Sequence, residues 1–465
     1  MARKVIKTRR DIPSVEELLQ APELTPEISA LPRPVAAEIV KATVAAFKAE
    51  LAQQRTAPEL ADLLTAVRQR LAEQVSRSLA RVINATGIVV HTNLGRAPLP
   101  EQIFDEIRQT VVGYGNVEFD VATGSRGHRG DACERYLATL SGAESGTVVN
   151  NNAAALFAIL NTLANRRKVL ISRGELVQIG GGFRIPDILR KAGARLAEVG
   201  TTNITTVDDY EKAIDSQTAL ILKVHKSNFV QAGFTEEVPL KPLVALGRKR
   251  GVPVVNDLGS GVFISTSKIL GYHEPTVQES VRAGAALTCF SGDKLLGGVQ
   301  AGLIVGEAEL ISRIKKNPLF RTLRVDKLVF AVLEKLLAVY LDGSPLTGIK
   351  LWQILATDPA ELHRRAEAIL KKLGRPPGVA AVHTSAFVGG GALPERALKS
   401  AGLMFAETMP ARRLMEAFRA LRPPVIGRID DDRFIIDLKA VEPADLDLLT
   451  DSIRRVLDSV SAEKQ

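Results

Sequence analysis

The chain reads as an α/β protein built on a mostly parallel sheet, with a helical region before it and a smaller α/β unit after it. Three observations carry that reading. Residues 1–78 show helical spacing and little strand signal. The middle of the chain alternates short apolar runs with helical patterns. An apolar helical stretch at 323–341 then leads into a second, shorter set of strand and helix patterns.

In the first region, Ser14-Val15-Glu16-Glu17 has the spacing of a capping box, in which the Ser14 hydroxyl accepts from the Glu17 amide and Glu17 reaches back. Residues 35–54 and 58–79 place apolar side chains three and four apart, which predicts two longer helices. In the middle region, 147–150, 168–171, 219–224, 253–255, 286–290 and 303–305 are short apolar runs, as expected of strands buried on both faces. Helical spacing at 153–164, 185–192 and 240–250 supplies the crossovers. The stretch 323–341 predicts one long bridging helix. Beyond it, 361–373 and 445–459 predict helices, 404–408 and 432–438 predict strands, and Gly389-Gly390-Gly391 predicts a turn. The expected domains are 1–78, 79–340 and 341–465.

The 465 residues, 46% of them hydrophobic, suffice for more than one core, and 24% charged residues is ordinary for a globular chain. A formal net charge of +9 is compatible with a polyanionic partner such as RNA. Cys133 and Cys289 are the only cysteines, which excludes a disulfide framework and a cysteine-based metal site. Buried thiols in a reducing cytoplasm are expected. The six histidines lack metal-ligand spacing, so no metal is expected. The basic start is followed by no apolar segment of the secretory kind. The best apolar run, 328–341, is broken by Glu334 and Lys335, and no membrane span is read.

The chemistry concentrates in Phe290-Ser291-Gly292-Asp293-Lys294-Leu295-Leu296-Gly297-Gly298. An apolar strand gives way to small polar residues, then one lysine stands before paired glycines. Pyridoxal 5'-phosphate (PLP) chemistry needs a lysine at the carboxyl end of a sheet, where its amine condenses with the aldehyde as a Schiff base. Small neighbours let ring and phosphate approach the backbone, and Ser291 is spaced to donate to the phosphate. Pro253-Val254-Val255-Asn256-Asp257 ends a buried run on an aspartate, which suits pairing with a protonated pyridine nitrogen. Asn150-Asn151-Asn152-Ala153-Ala154-Ala155 opens a helix of small residues, offering free amides and a positive dipole end to a phosphate. Singly, these are a surface turn, a cap or ion-pair residue, and an ordinary loop. Their order, each at a strand end, points to a PLP site holding Lys294, Asp257, Asn151, Asn152, Ala153 and Ser291. Ser291-Gly292-Asp293-Lys294 also fits the S-x-x-K pattern of serine penicillin-binding enzymes, but no Ser-Asp-Asn or Lys-Thr-Gly follows it.

Two stretches are distinctive: Arg81-Val82-Ile83-Asn84-Ala85-Thr86-Gly87-Ile88-Val89-Val90-His91-Thr92-Asn93-Leu94-Gly95-Arg96-Ala97-Pro98-Leu99, and Ser291 to Gly302. Through them the chain closely resembles the bacterial selenocysteine synthases, the L-seryl-tRNA(Sec) selenium transferases. The likeness extends through Glu175-Leu176-Val177-Gln178, Glu198-Val199-Gly200-Thr201-Thr202-Asn203 and Pro424-Val425-Ile426-Gly427-Arg428, and so covers nearly the whole chain. Val299, Ala286 and Gln178 depart from the family's usual proline, aspartate and glutamate.

The resemblance implies the fold-type-I PLP architecture and conversion of seryl-tRNA(Sec) to selenocysteinyl-tRNA(Sec) with selenophosphate, through a dehydroalanyl intermediate. It implies a helical domain that grips tRNA and a cytoplasmic homo-oligomer, a decamer made as a pentamer of dimers. It places Arg96, Arg321 and Arg324 at the selenophosphate site, with Arg321 and Arg324 expected on one helical face. Lys294 is the expected base for the Cα proton. Asp293 is expected to tune that lysine's charge or to contact the cofactor, and Ser260 to donate to the ring hydroxyl. Arg3, Lys4, Lys7, Arg9 and Arg10 would add phosphate contacts. Two alternatives stand beside this reading: a PLP-dependent lyase acting on a free amino acid or amino sugar phosphate, and a non-catalytic RNA-binding scaffold.

Overall fold

A computed structural model of the chain describes residues 5–6, 8–51, 58–179, 182–391, 396–406 and 409–462. They fall into two compact units, Met1–Val82 and Ile83–Gln465.

In the first unit, Glu17 N donates to Ser14 Oγ (3.2 Å) and Ser14 N donates to Glu17 Oε2 (2.7 Å), so the capping box forms at the start of the Val15–Leu19 helix. The two longer helices are Arg33–Leu51 and Leu60–Ser76. Their apolar stripes, including Val40, Val44, Leu63, Val67 and Leu71, close on Leu18 and Leu24 in one small core. Arg3, Lys4 and Lys7 lie outside the described residues.

The second unit holds two larger sheets. In chain order their strands are β1 (Ile88–Val90), β2 (Ser145–Val149), β3 (Lys168–Ser172), β4 (Arg195–Val199), β5 (Thr218–Val224), β6 (Val254–Gly259), β7 (Leu287–Ser291), β8 (Gly302–Gly306), β9 (Val379–Gly389), β10 (Ala397–Phe405), β11 (Arg428–Asp430) and β12 (Arg433–Asp437). The main sheet has the order β2-β8-β7-β6-β5-β3-β4. Only β8 runs antiparallel to its neighbours in it. Along β8, Leu303 and Val305 enter one core cluster and Ile304 the other, as the period of two requires. Helices therefore cover both faces, with Lys327–Leu341 and Asp131–Ser141 on one and Asn152–Leu163 and Ala308–Lys316 on the other.

The second sheet, β11-β12-β10-β9-β1, takes its edge strand β1 from ahead of the main sheet. The expected 404–408 strand is the end of β10, which stops at Phe405; Thr408 lies outside the described residues. The long bridging helix is a correction. Pro318–Leu323 is a 3-10 helix, Arg324 is extended (φ −64°, ψ 140°), and the α-helix starts only at Lys327. Asp326 caps that start, with Val329 N donating to Asp326 Oδ1 at 3.0 Å. Arg321 and Arg324 therefore do not share a helical face. No described helix is long and apolar enough to cross a membrane.

Candidate active site

Lys294 lies three residues past the end of β7, in a turn fixed by backbone hydrogen bonds. Gly292 N donates to Ala301 O (2.9 Å), Gly298 N to Gly292 O (2.8 Å) and Leu295 N to Ser260 O (2.9 Å). The lysine is 9% exposed. Gly391 packs against its side chain: a Cβ there would collide with Lys294 Nζ, and the residue has a left-handed φ of +94°.

Asp257 is 6% exposed and sits inside β6, two residues before its end, so it does not terminate the strand as the sequence suggested. Cys289 on β7 lies beside it in register. Asn152 Nδ2 donates to Asp257 Oδ1 (2.8 Å), and Cys289 Sγ lies 3.7 Å from the same oxygen. Burial pushes the Asp257 carboxyl up, opposed by the Asn152 hydrogen bond and the Lys294 charge. Burial likewise pushes the Lys294 amine down; Asp257 opposes this and Arg96 reinforces it. A lysine shifted in this direction reaches its neutral, nucleophilic form more readily.

The polar turn opening the Asn152–Leu163 helix is built as an anion site. Asn151 is its N-cap, and its Oδ1 accepts from Ala154 N (2.9 Å). The first intrahelical bond is Ala155 N to Asn151 O (3.0 Å), so the amides of Asn152 and Ala153 precede the ladder. Gly302 on β8, paired with Ser291, lets this turn lie on the sheet, because a Cβ there would collide with Asn151 O.

Around these residues, Asn152 Oδ1, Ser260 Oγ, Asp293 Oδ1 and His225 Nδ1 are buried without a hydrogen bond. Each such group costs about 1–3 kcal/mol unless something polar meets it. An amine, a carboxylate, a helix start and several polar atoms thus converge on one place. That donor and acceptor set fits PLP: an amine for the aldehyde, an acid for the ring nitrogen, amides for the phosphate. Among the described residues no cluster of three or more potential metal ligands occurs.

Arg96 joins this group through Asp293. Its Nη1 donates to Asp293 Oδ2 at 2.6 Å, and Ala97 N donates to Asp293 O at 3.2 Å. Arg321 and Arg324 are exposed. Arg324 Nη1 lies 3.6 Å from Glu118 Oε1, and no hydrogen bond or ion pair among the described residues ties either arginine to Lys294 or Asp257. Their segment still touches the anion turn through its backbone, since Asn150 N donates to Leu323 O (3.0 Å).

Sequence reasoning missed Cys289, Gly391, His225 and Glu274. His225 follows β5 directly and its backbone N–H donates to the Asp257 carbonyl oxygen at 3.0 Å. The rule that singled out Asp257, a polar residue at the end of an apolar run, would also have found it. His225 and Glu274 line a cavity of about 310 Å³. A larger hollow of about 800 Å³, bordered by the Asp131–Ser141 and Lys327–Leu341 helices, contains none of these residues.

A family model described as L-seryl-tRNA selenium transferase matches residues 82–442, and one described as selenocysteine synthase N terminal matches residues 9–46. The L-seryl-tRNA(Sec) selenium transferase of Geotalea uraniireducens (strain Rf4) is 44% identical over 441 residues, 93% of this chain and 96% of its own length. That of Aquifex aeolicus (strain VF5) is 43% identical over 403 residues, 86% of this chain and 89% of its own. Among solved structures, a D-glucosaminate-6-phosphate ammonia-lyase has a likeness of fold, with a TM-score of 0.61 at 19% identity, covering 84% of this chain and 99% of that one.

Proposed function

The chain belongs to the L-seryl-tRNA selenium transferase family, and from that premise we propose that it converts L-seryl-tRNA(Sec) to L-selenocysteinyl-tRNA(Sec) with selenophosphate, using PLP held on Lys294. Its architecture is that of the fold-type-I PLP enzymes. The observation that carries the reading is the burial of the Lys294 amine and the Asp257 carboxylate together, among polar atoms that have no hydrogen bond.

When bound, PLP supplies an electron sink for a carbanion at the substrate's Cα. The chain's own residues do the rest. Lys294 would hold the cofactor, and its amine is the base for the Cα proton. Asp257 keeps a proton on the ring nitrogen by opposite charge. The amides of Asn152 and Ala153, after the Asn151 cap, hold the phosphate with Ser291. Ser260 donates to the ring hydroxyl, and Asp293 positions Arg96. Arg96, Arg321 and Arg324 receive selenophosphate, since guanidinium stays charged at any working pH and offers forked donors.

In this reading residues 1–78 grip the tRNA, 79–340 carry the cofactor and 341–465 form the small α/β domain. The enzyme works in the cytoplasm as a homo-oligomer, a decamer built as a pentamer of dimers. The test is to supply purified chain with PLP, seryl-tRNA(Sec) and selenophosphate, and to identify the amino acid released on deacylation. Selenocysteine is expected only when all are present, and not from Lys294→Ala. Release of ammonia from free L-serine, with the seryl ester untouched, would replace this reading with a small-molecule lyase.

A further inference from the structure

We propose that His225, with Glu274 beside it, is the acid that protonates the seryl hydroxyl as it leaves. The proposal rests on the activity proposed above. Hydroxide is a poor leaving group, so losing it from Cβ requires a proton donor at that oxygen. Imidazole is the side chain suited to give and regain a proton near neutral pH.

His225 follows β5 directly, next to the strand that carries Asp257. The His225 backbone N–H donates to the Asp257 carbonyl oxygen at 3.0 Å, which fixes the backbone of the residue against the strand that carries the aspartate. The imidazole is one-quarter exposed and lines the 310 Å³ cavity, while its Nδ1 is buried without a hydrogen bond. Glu274, 2% exposed, holds Oε1 at 3.8 Å from that nitrogen. The Glu274 charge acts on Lys294, and the His225 charge acts on Asp257, so the pair lies within the electrostatic reach of both. Other charges bordering the cavity are engaged. Lys223 bonds Glu175 (2.6 Å), Lys226 bonds Glu237 (2.8 Å), His273 lies 3.4 Å from Glu279, and Arg396 stacks over Tyr272 (5.2 Å).

The step balances. Lys294 takes the Cα proton, and that C–H electron pair becomes the Cα=Cβ bond. The Cβ–O pair leaves with oxygen, and the imidazolium proton completes water. Neutral imidazole and a lysine ammonium remain, and nothing is oxidised or reduced.

The test compares seryl-tRNA(Sec) with β-chloroalanyl-tRNA(Sec), whose chloride leaves without a proton. His225→Asn should slow the seryl substrate about 10²–10³-fold and the chloro substrate less than about 3-fold. Glu274→Gln, altering a positioning residue, should show a smaller defect with the same rescue. A second readout needs no turnover. In the cofactor-free full chain, carbethoxylation of His225, mapped by mass spectrometry, should slow when tRNA(Sec) bearing a stable 3'-serylamide is added. Equal losses on both substrates, no loss on either, or labelling that ignores the serylamide would each overturn the proposal. If wild-type enzyme turns over neither substrate, the failure lies instead in the activity proposed above.

Discussion

Burial pushes the Asp257 carboxyl up, and that direction has a consequence for stability. A carboxyl whose folded-state pKa exceeds its unfolded value binds its proton more tightly when folded. Its contribution is present below the unfolded value and lost as pH rises through the raised folded value. The cofactor-free chain should therefore hold Asp257 at a cost near neutral pH. Asp257→Asn should melt higher than wild type at pH 8 without PLP, with the gap closing as pH falls, in calorimetry. With PLP loaded, the ring's cationic nitrogen should reverse the order, and turnover of the variant should fall about 10²–10³-fold. Gly391 gives a second test. Its left-handed φ strains any other residue there, and a methyl group would push the end of the Lys294 side chain aside. Gly251 has a comparable φ of +66° but nothing within 4 Å of a built Cβ. Gly251→Ala should cost only the backbone term of about 1–2 kcal/mol. Gly391→Ala should in addition lose PLP loading, read as visible absorbance.

Elements bring these residues together through contacts that differ in how plainly a sequence announces them. Lys294, Asp257 and Asn151 could be picked out because each stands in or just beyond an apolar run, where side-chain polarity changes sharply. β4 escaped notice because Arg195 and Glu198 interrupt its run, as suits the edge of a sheet. β9 escaped because His383-Thr384-Ser385 break its apolar pattern and only Ala386 and Val388 in it are fully buried. The break before Lys327 was invisible since one capping aspartate looks like any polar residue of an amphipathic helix. Gly391 owes its meaning to Lys294, distant in sequence, which no local pattern records. The ion pair of Glu175 with Lys223 belongs to this class. Lys223 Nζ donates to Glu175 Oε1 (2.6 Å) and Val224 N donates to Glu175 Oε2 (2.9 Å), fastening the Arg173–Glu175 turn to β5 just ahead of His225. Glu175 is pushed up by burial, with Lys223 opposing it. Lys223→Met leaves that carboxylate buried without its cation and should cost about 3–5 kcal/mol in urea unfolding. Adding Glu175→Leu should restore most of the loss, because a buried pair and an apolar pair of similar volume differ little.

At the scale of the molecule, the division into Met1–Val82 and Ile83–Gln465 separates recognition from chemistry in the reading proposed above. Lys294, Asp257 and the Asn151 turn all lie in the second unit, and each is held by strands and helices of that unit. The first unit has its own apolar core, built from residues between Ile6 and Leu71. Removing it should therefore leave cofactor loading intact. Binding of a polyanion to a chain of net charge +9 has an electrostatic part that weakens with salt. For each phosphate neutralised, the slope of log K against log salt steepens by about 0.7–0.9. A chain starting at Ile83 should take up PLP with the full chain's absorbance, bind tRNA(Sec) at least about tenfold more weakly, and show a shallower salt slope. Equal affinity and an equal slope would move the RNA grip into Ile83–Gln465. Lost absorbance would mean instead that the second unit needs the first in order to fold.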